Sequence, residues 1–367
     1  MIFFFAETPD GWGIPGVHGP WADDELDGYV QSGVYLIRGA GENILIDTGN
    51  WTTEDHDNGM GQFLIDKLDA EKNDLRYILI THFHYDHTGN ASILKERYGA
   101  EVVAHTLDKP VIENPMLVTK AENVERFGMT PEEVLRDFNL AEGESLGLSD
   151  PEVVKRHWNR PVEVDVTVAD GDILEVGGLK LEIIHLPGHC PGQVGVYNPH
   201  TGSLYAADIM HYPTPLGPYP IGDAKAHRKS VERCVTIAPQ LLLEGHGLSA
   251  YSPESSLRRL THMLRQQDDI EFRILYVVAR MDRPVTILDL VPEVMPVKTE
   301  LDYPVSTGIG MRRCYAECCI QTHLVWQVEQ GRAERVMEDG LVKFTATKAG
   351  RNWAAEEFEK RREAKWS

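Results

Sequence analysis

Short apolar runs, set off by glycine, proline and polar turns, mark out the first two-thirds of the chain. Tyr77-Ile78-Leu79-Ile80 has the length and unbroken hydrophobicity of a buried strand. Residues 33–38 and 43–47 are two further runs joined by Gly39-Ala40-Gly41-Glu42, a pattern that predicts a hairpin. Residues 1–7 read as a first strand and 101–104 as another, whereas 8–32, rich in Gly, Pro, Trp and Asp, read as loop. A second set of strand-like runs follows at 162–168, 173–176, 179–186, 192–197, 203–207 and 240–243, with Gly177-Gly178 as a tight turn. Helical patterning appears at 61–72, 91–98 and 225–237, and again from Ser252, which reads as an N-cap with Pro253 in the first turn. The order strands, helices, strands, helices predicts two sheets packed face to face with helices outside. That is an α/β, four-layer αββα sandwich of two similar halves, although no clean sequence repeat relates them.

Two regions depart from this pattern. Residues 106–160 are punctuated by Pro110, Pro115, Pro131, Pro151 and Pro161 and carry short helical segments such as 132–138, so they predict a mainly helical insertion that fills scaffold or walls a pocket. From about 267 a helix at 270–281, the start of another at 284–291 and a longer one at 310–330 precede a strand pair at 333–337 and 341–345 around Asp339-Gly340. Helices followed by a hairpin predict a winged-helix-like module over 267–350, with a main domain over 1–266 and a charged helical tail over 351–367.

Composition narrows the function. With 367 residues and 42% hydrophobic content the chain can bury a sizeable core. Lys plus Arg number 36 against 57 Asp plus Glu, a formal charge of −21, which speaks against a nucleic-acid-binding surface because phosphate contacts need basic patches. Within the 312–330 helix, Arg312 and Arg313 are offset by Glu317 and Glu329, so a structural or dimerising role suits it better than a DNA-reading one. No run approaches the ~18 apolar residues of a membrane span. Residues 1–7 are too short for a signal peptide and lack a basic start. The cysteines, Cys190, Cys234, Cys314, Cys318 and Cys319, form no disulfide framework, and a reduced cytoplasmic compartment is the default expectation.

The chemistry concentrates after the 77–80 strand, in Thr81-His82-Phe83-His84-Tyr85-Asp86-His87. Four potential ligands lie within these residues, on a turn between a strand end and a helix, where α/β sheets place their ligand sites. Imidazoles with a carboxylate suit a borderline divalent metal such as zinc. In an extended turn His82, His84 and Asp86 alternate onto one side, and His87 faces a second position, so one loop can serve two adjacent metals. Three later strand ends carry further donors: His189 in Leu186-Pro187-Gly188-His189-Cys190-Pro191-Gly192, Asp208 after Tyr205-Ala206-Ala207, and His246 between Gly245 and Gly247.

These residues resemble, in order, the ligand set of the metallo-β-lactamase superfamily, and Asp47-Thr48-Gly49 matches its strand end as well. The resemblance covers roughly residues 30–262 and implies the αββα fold with a two-metal site. It implies that His82, His84 and His189 hold one metal, that Asp86, His87 and His246 hold the other, and that Asp208 bridges them. His84, where diiron oxidoreductases of the fold carry an acidic residue, makes the pattern similar to the zinc hydrolases; the expected cofactor is two Zn2+ per chain, with Fe or Mn as other metals the ligands accept. Such a pair lowers the pKa of a shared water toward ~7, so that the hydroxide attacks a carbonyl, while Asp86 orients the nucleophile or passes a proton to the leaving group. Asp47 is expected to accept an imidazole N–H, and His211 and Tyr212 are candidates to donate to the oxyanion or leaving group.

The expected activity is hydrolysis of a small-molecule ester, thioester or lactone, with a slight lean to a thioester or ester. A β-lactam is less favoured, and a nuclease or an inert regulatory binding protein are the readings from other classes. Cys190 reads as a small loop residue, since no histidine is free to serve it as base once His189 binds metal. Cys314, Cys318, Cys319 and His323 share one helix with no second ligand pair following, which predicts a buried helix face rather than a further zinc site. His18, His56, His105 and His227 stand outside any motif and read as surface or structural residues.

Overall fold

The computed structural model describes residues 6–14, 17–18, 30–50, 60–119, 136–139, 160–210, 219, 221–246, 252–294 and 309–364. Its first sheet has strand order β1 (Ala6–Glu7), β2 (Gly11–Ile14), β5 (Val34–Arg38), β6 (Glu42–Ile46), β7 (Asp74–Ile80), β8 (Glu101–His105) and β9 (Val166–Val168). A short pair, β3 (Val17–His18) with β4 (Val30–Gln31), stands beside it. Pairing is antiparallel up to β5–β6 and parallel from β6 to β9. The second sheet runs β10 (Ile173–Val176), β11 (Leu179–His185), β12 (Val194–Asn198), β13 (Ser203–Tyr205) and β14 (Leu241–Leu243), antiparallel except for β13–β14. Parallel neighbours need crossovers. The described helices α1 (Met60–Asp69) and α3 (Ala91–Tyr98) lie on the first sheet's crossovers, and α5 (Ala224–Ile237) makes the one between β13 and β14.

Period-2 alternation sorts the strand residues into layers. Ile37, Ile44, Ile46 and Leu79 meet Leu181, Ile183, Leu241 and Leu243 in the core between the sheets. The intervening Leu36, Leu45 and Ile78 face outward onto Met60, Leu64 and Leu94 of α1 and α3. On the other side, Ile184, Leu204 and Leu242 face Val231 and Cys234 of α5 and Leu260 and Met263 of α6 (Pro253–Arg280). This is the predicted αββα sandwich.

Three details correct the sequence reading. The stretch 8–32 contains strands: β2 is buried throughout and pairs with β5. Its glycines hide it, and they are needed because a Cβ on Gly11 would lie 2.1 Å from the Leu36 carbonyl oxygen. The run 162–168 is a strand only over β9. The helix that begins at Ser252 does not stop before 270. α6 is one 28-residue helix, capped by a reciprocal Ser252–Ser255 pair, and it runs straight through position 266.

The second half of α6 enters a separate apolar core. Ile270, Ile274, Leu275 and Val278 pack there with residues of α7 (Ile287–Val294), α8 (Ile309–Glu329), the hairpin β15 (Ala333–Glu338) and β16 (Leu341–Ala346), and α9 (Lys348–Ala364). Of the 106–160 segment, α4 (Lys109–Glu113), a 3-10 turn at Pro115–Thr119 and residues 136–139 are described. Most of the helical segment expected at 132–138 lies outside the described residues. The last piece crosses to the C-terminal core: Phe138 is buried there, Asp137 pairs with Arg335 at 2.6 Å, and the Asn139 amide brackets the Val342 backbone at 2.7 and 3.1 Å. Among the described residues no helix is long and apolar enough to cross a membrane.

Candidate metal centre

Five strands end at one edge of the sandwich, and each delivers a donor there. β6 runs into Asp47 and β7 into Thr81 and the histidine loop. β11 leads to His189, β13 to Asp208 in a short 3-10 turn (Ala207–Met210), and β14 to His246. The sheets are stapled at this edge, where the Val194 amide donates to the Thr81 carbonyl at 2.9 Å and the Tyr35 hydroxyl to that of Glu244 at 2.8 Å. The loop is not extended throughout. His84 precedes one helical turn, α2 (Tyr85–Thr88), and that turn, rather than strand-like alternation, swings Asp86 and His87 away together.

All the predicted ligands among the described residues converge. His84 Nδ1 lies 3.1 Å from His82 Nε2 and 2.9 Å from His189 Nε2. Asp86, His87 and His246 form a second group, with Asp86 Oδ2 at 3.0 Å from His246 Nε2 and 3.7 Å from His87 Nε2. Asp208 touches both groups. Its Oδ2 is 3.3 Å from His189 Nε2 and from His246 Nε2, and its Oδ1 is 3.3 Å from His87 Nε2. His211 and Tyr212 lie outside the described residues.

The donor set fits divalent metals. Nitrogens ligating one tetrahedral ion at ~2.0–2.1 Å stand ~3.3 Å apart, close to the separations in the first group. The electrostatics ask for positive charge as well. Burial alone would push the pKa of His87 down, but Asp208, Asp47 and Asp86 outweigh it and hold it well above its ordinary value. For His246 burial again pushes down, Asp208 and Asp86 again win, and the balance ends at about 9. Burial and the neighbouring His87 hold His82 well below its ordinary value. Burial would raise Asp86, yet His87 and His246 draw it down. The buried carboxylates thus favour positive charge at this edge, which a bound cation would supply in place of protons.

The residues behind the donors are as organised as the donors. Asp47, in a left-handed conformation at φ 59°, receives the Thr81 amide and hydroxyl at 2.8 Å each and sits 2.8 Å from His87 Nδ1. Thr81 Oγ1 is also 3.1 Å from His82 Nδ1. Asp108 escapes the sequence reading: at the start of α4 it looks like a helix cap, but it makes no side-chain cap. Its buried carboxylate instead accepts from the Phe83 amide at 3.1 Å and the Gly192 amide at 2.8 Å, tying the first ligand loop to the loop that carries His189. Gly245 is required because a Cβ there would lie 2.0 Å from Asp208 Oδ1.

The remaining candidates resolve individually. Cys190 is buried with Sγ 3.5 Å from His84 Nε2, and burial pushes its thiol pKa well up, unlike an activated nucleophile. Cys318, Cys319 and His323 are buried in the C-terminal module and join no ligand group among the described residues. His227 is buried against Gln267, and His105 stacks on His185 at 4.4 Å. His18 lies in β3, and His56 is outside the described residues.

The family model of the metallo-beta-lactamase superfamily matches residues 27–246. Hydroxyacylglutathione hydrolase GloC of Haemophilus influenzae is 28% identical over 153 residues, 41% of this chain and 58% of that protein, so little more than half of the relative is spanned. Acyl-coenzyme A thioesterase MBLAC2 of Homo sapiens is 22% identical over 219 residues, 58% of this chain and 71% of that protein. The crystal structure of a metallo-beta-lactamase family protein from Thermus thermophilus superposes with a TM-score of 0.65 at 21% identity, covering 90% of this chain and 97% of that one. Coverage of that extent reaches into the C-terminal part of the chain.

Proposed function

The chain belongs to the metallo-β-lactamase superfamily, and from that premise we propose that it is a binuclear zinc hydrolase acting on a small-molecule acyl thioester. One observation carries the reading: Asp208 lies in contact with histidines of two donor groups whose make-up suits zinc. Hydroxyacylglutathione and acyl-coenzyme A, the substrates named for two relatives, are both thioesters, which supports the lean toward this substrate class over simple esters and lactones.

Two zinc ions held there would supply a water of pKa near ~7 and a Lewis acid for the carbonyl. The chain does the rest. His82, His84 and His189 would hold the first ion and Asp86, His87 and His246 the second, with Asp208 in contact with both groups. Asp47 and Thr81 fix the orientation of His87 and His82. Asp86, at the loop's helical turn, would orient the nucleophile or pass a proton toward the leaving sulfur. By sequence position alone, His211 and Tyr212 are the candidates to donate to the oxyanion or the leaving group. The C-terminal module, winged-helix-like in the order of its elements, serves as scaffold or dimer surface; no basic surface for nucleic acid is assigned to it.

Metal analysis combined with a panel of acyl thioesters, p-nitrophenyl esters and lactones tests the proposal. Two zinc ions per active chain and fastest turnover of thioesters are expected, with activity lost on chelation and restored by zinc. Full activity with fewer than two metals would refute the binuclear reading. Faster ester or lactone turnover would remove the thioester assignment alone.

A further inference from the structure

We propose that His227 is a positioning residue for the first metal site: through its buried contact with Gln267 it holds α5 against Gly188 and so fixes the loop that presents His189. The inference rests on the reading of His82, His84 and His189 as ligands of one ion.

The backbone just ahead of His189 is held from outside its own loop. The Pro187 carbonyl accepts from the Ser230 hydroxyl at 2.8 Å, and the Gly188 carbonyl accepts from the Asp223 amide at 2.8 Å. Asp223 is the N-cap of α5, its carboxylate receiving the Ala226 amide at 2.9 Å, and Ser230 lies two turns further along the same helix. Gly188 lies at φ 126°, and a Cβ there would collide with the backbone of His227. Glycine alone permits this approach. Loop and helix are therefore in direct backbone contact at the residue before the ligand, and a shift of α5 is a shift of His189.

The position of α5 depends in turn on its ties to α6 and α8. Lys225 pairs with Glu329 of α8 at 2.8 Å and Arg228 pairs with Asp268 of α6, but these side chains are partly exposed and such pairs weigh little. The buried tie is His227. Its side chain is enclosed, and its Nδ1 meets the side-chain amide of Gln267, which is buried on α6. Breaking a buried polar contact strands a polar group away from water, a larger loss than that of a surface pair. His323 of α8 adjoins the same place, close enough for His227 to help hold its pKa down. Along α6, Gln267 falls between Met263, which faces the second sheet, and Ile270, which faces the C-terminal core. The contact thus links the His189 loop to the point where the two cores meet.

The test uses the full-length protein as wild type, H227L, H227N, Q267L, the H227L/Q267L double variant and H189A, each stripped of metal and reloaded. Metal affinity is read by competition with a chromophoric chelator, site geometry by the visible spectrum of the Co2+ form, and folding by circular dichroism. H227L and Q267L fill space without the polar contact. Each should weaken one of the two sites by about 10-fold, the scale for losing a partner behind a ligand, and shift the Co2+ bands, although neither residue is a ligand. The double variant should lose little more than either single one, because both break the same contact. H227N keeps a polar atom near the place of Nδ1 and should restore most of the affinity. A lower melting temperature with wild-type affinity and spectrum in Q267L, with H189A losing a site, would overturn the positioning role and leave the ligand assignment standing; Q267L decides this even if H227L fails to fold. Equal weakening of both sites, or additive losses in the double variant, would overturn it as well. Unchanged binding in H189A would overturn the ligand assignment itself.

Discussion

At the scale of single residues, burial and charge act together. Asp47 shows how: burial raises its pKa, while His87 and the two Thr81 donors pull it back toward the ionised form that can hold an imidazole. His323 shows burial acting without a carboxylate. Enclosed in α8, with His227 and Arg228 adding repulsion, it is held down to about 3. Its folded pKa therefore lies below the unfolded value of ~6.5, and the unfolded chain binds the extra proton between them. Stability from this site is fully present above about pH 6.5 and drains away as pH falls toward 3. Denaturant unfolding at pH 7 and pH 5 should show a smaller acid loss in His323→Leu than in wild type. Equal losses would mean that His323 does not set the acid limb.

At the scale of elements, the turns leaving the strands matter more than the strands. β14 delivers His246 only because Gly245 lets its backbone lie against Asp208. In Gly245→Ala the new methyl would displace the Asp208 carboxylate, while the apolar layers of the sandwich remain in place. Metal content should fall below two per chain and hydrolysis by at least ~10-fold, in the range seen when a ligand loses its orientation, with far-ultraviolet circular dichroism unchanged. A fully loaded, active Gly245→Ala protein would show that the turn tolerates a side chain. This dependence is hard to read from sequence, because a glycine before a histidine at a strand end also fits an ordinary turn.

At the scale of the molecule, α6 joins two cores. Leu260 and Met263 face the second sheet, and Ile270, Ile274, Leu275 and Val278 face the C-terminal module. Phe138, from the insertion, is buried in that module too, and Gln321 of α8 links Asp137 at 3.1 Å with the Tyr219 amide at 2.8 Å. Residues 136–139 and Tyr219 are thus anchored on the C-terminal part of the chain. Calorimetry of the metal-loaded protein should accordingly show one unfolding transition. Phe138→Ala, costing about 3–5 kcal/mol, should lower that single transition rather than split it. Two separate transitions would show that the parts are energetically independent.

Local information was sufficient for much of this. The histidine loop, the strand ends carrying His189, Asp208 and His246, and the layered alternation of the strands are patterns of neighbouring residues, so spacing and residue type determined them. The tertiary structure decided the relations between distant segments. The close approach of β2 to β5 makes a strand of a glycine-rich stretch that reads as loop. The change of packing partner along α6 resembles a domain boundary in sequence while the helix continues. Asp108 acquires its place only when loops more than eighty residues apart, around 83–108 and 190–192, are brought within hydrogen-bonding distance. Periodicity reports which face a residue buries; what it meets there is settled by how the two sheets close on each other.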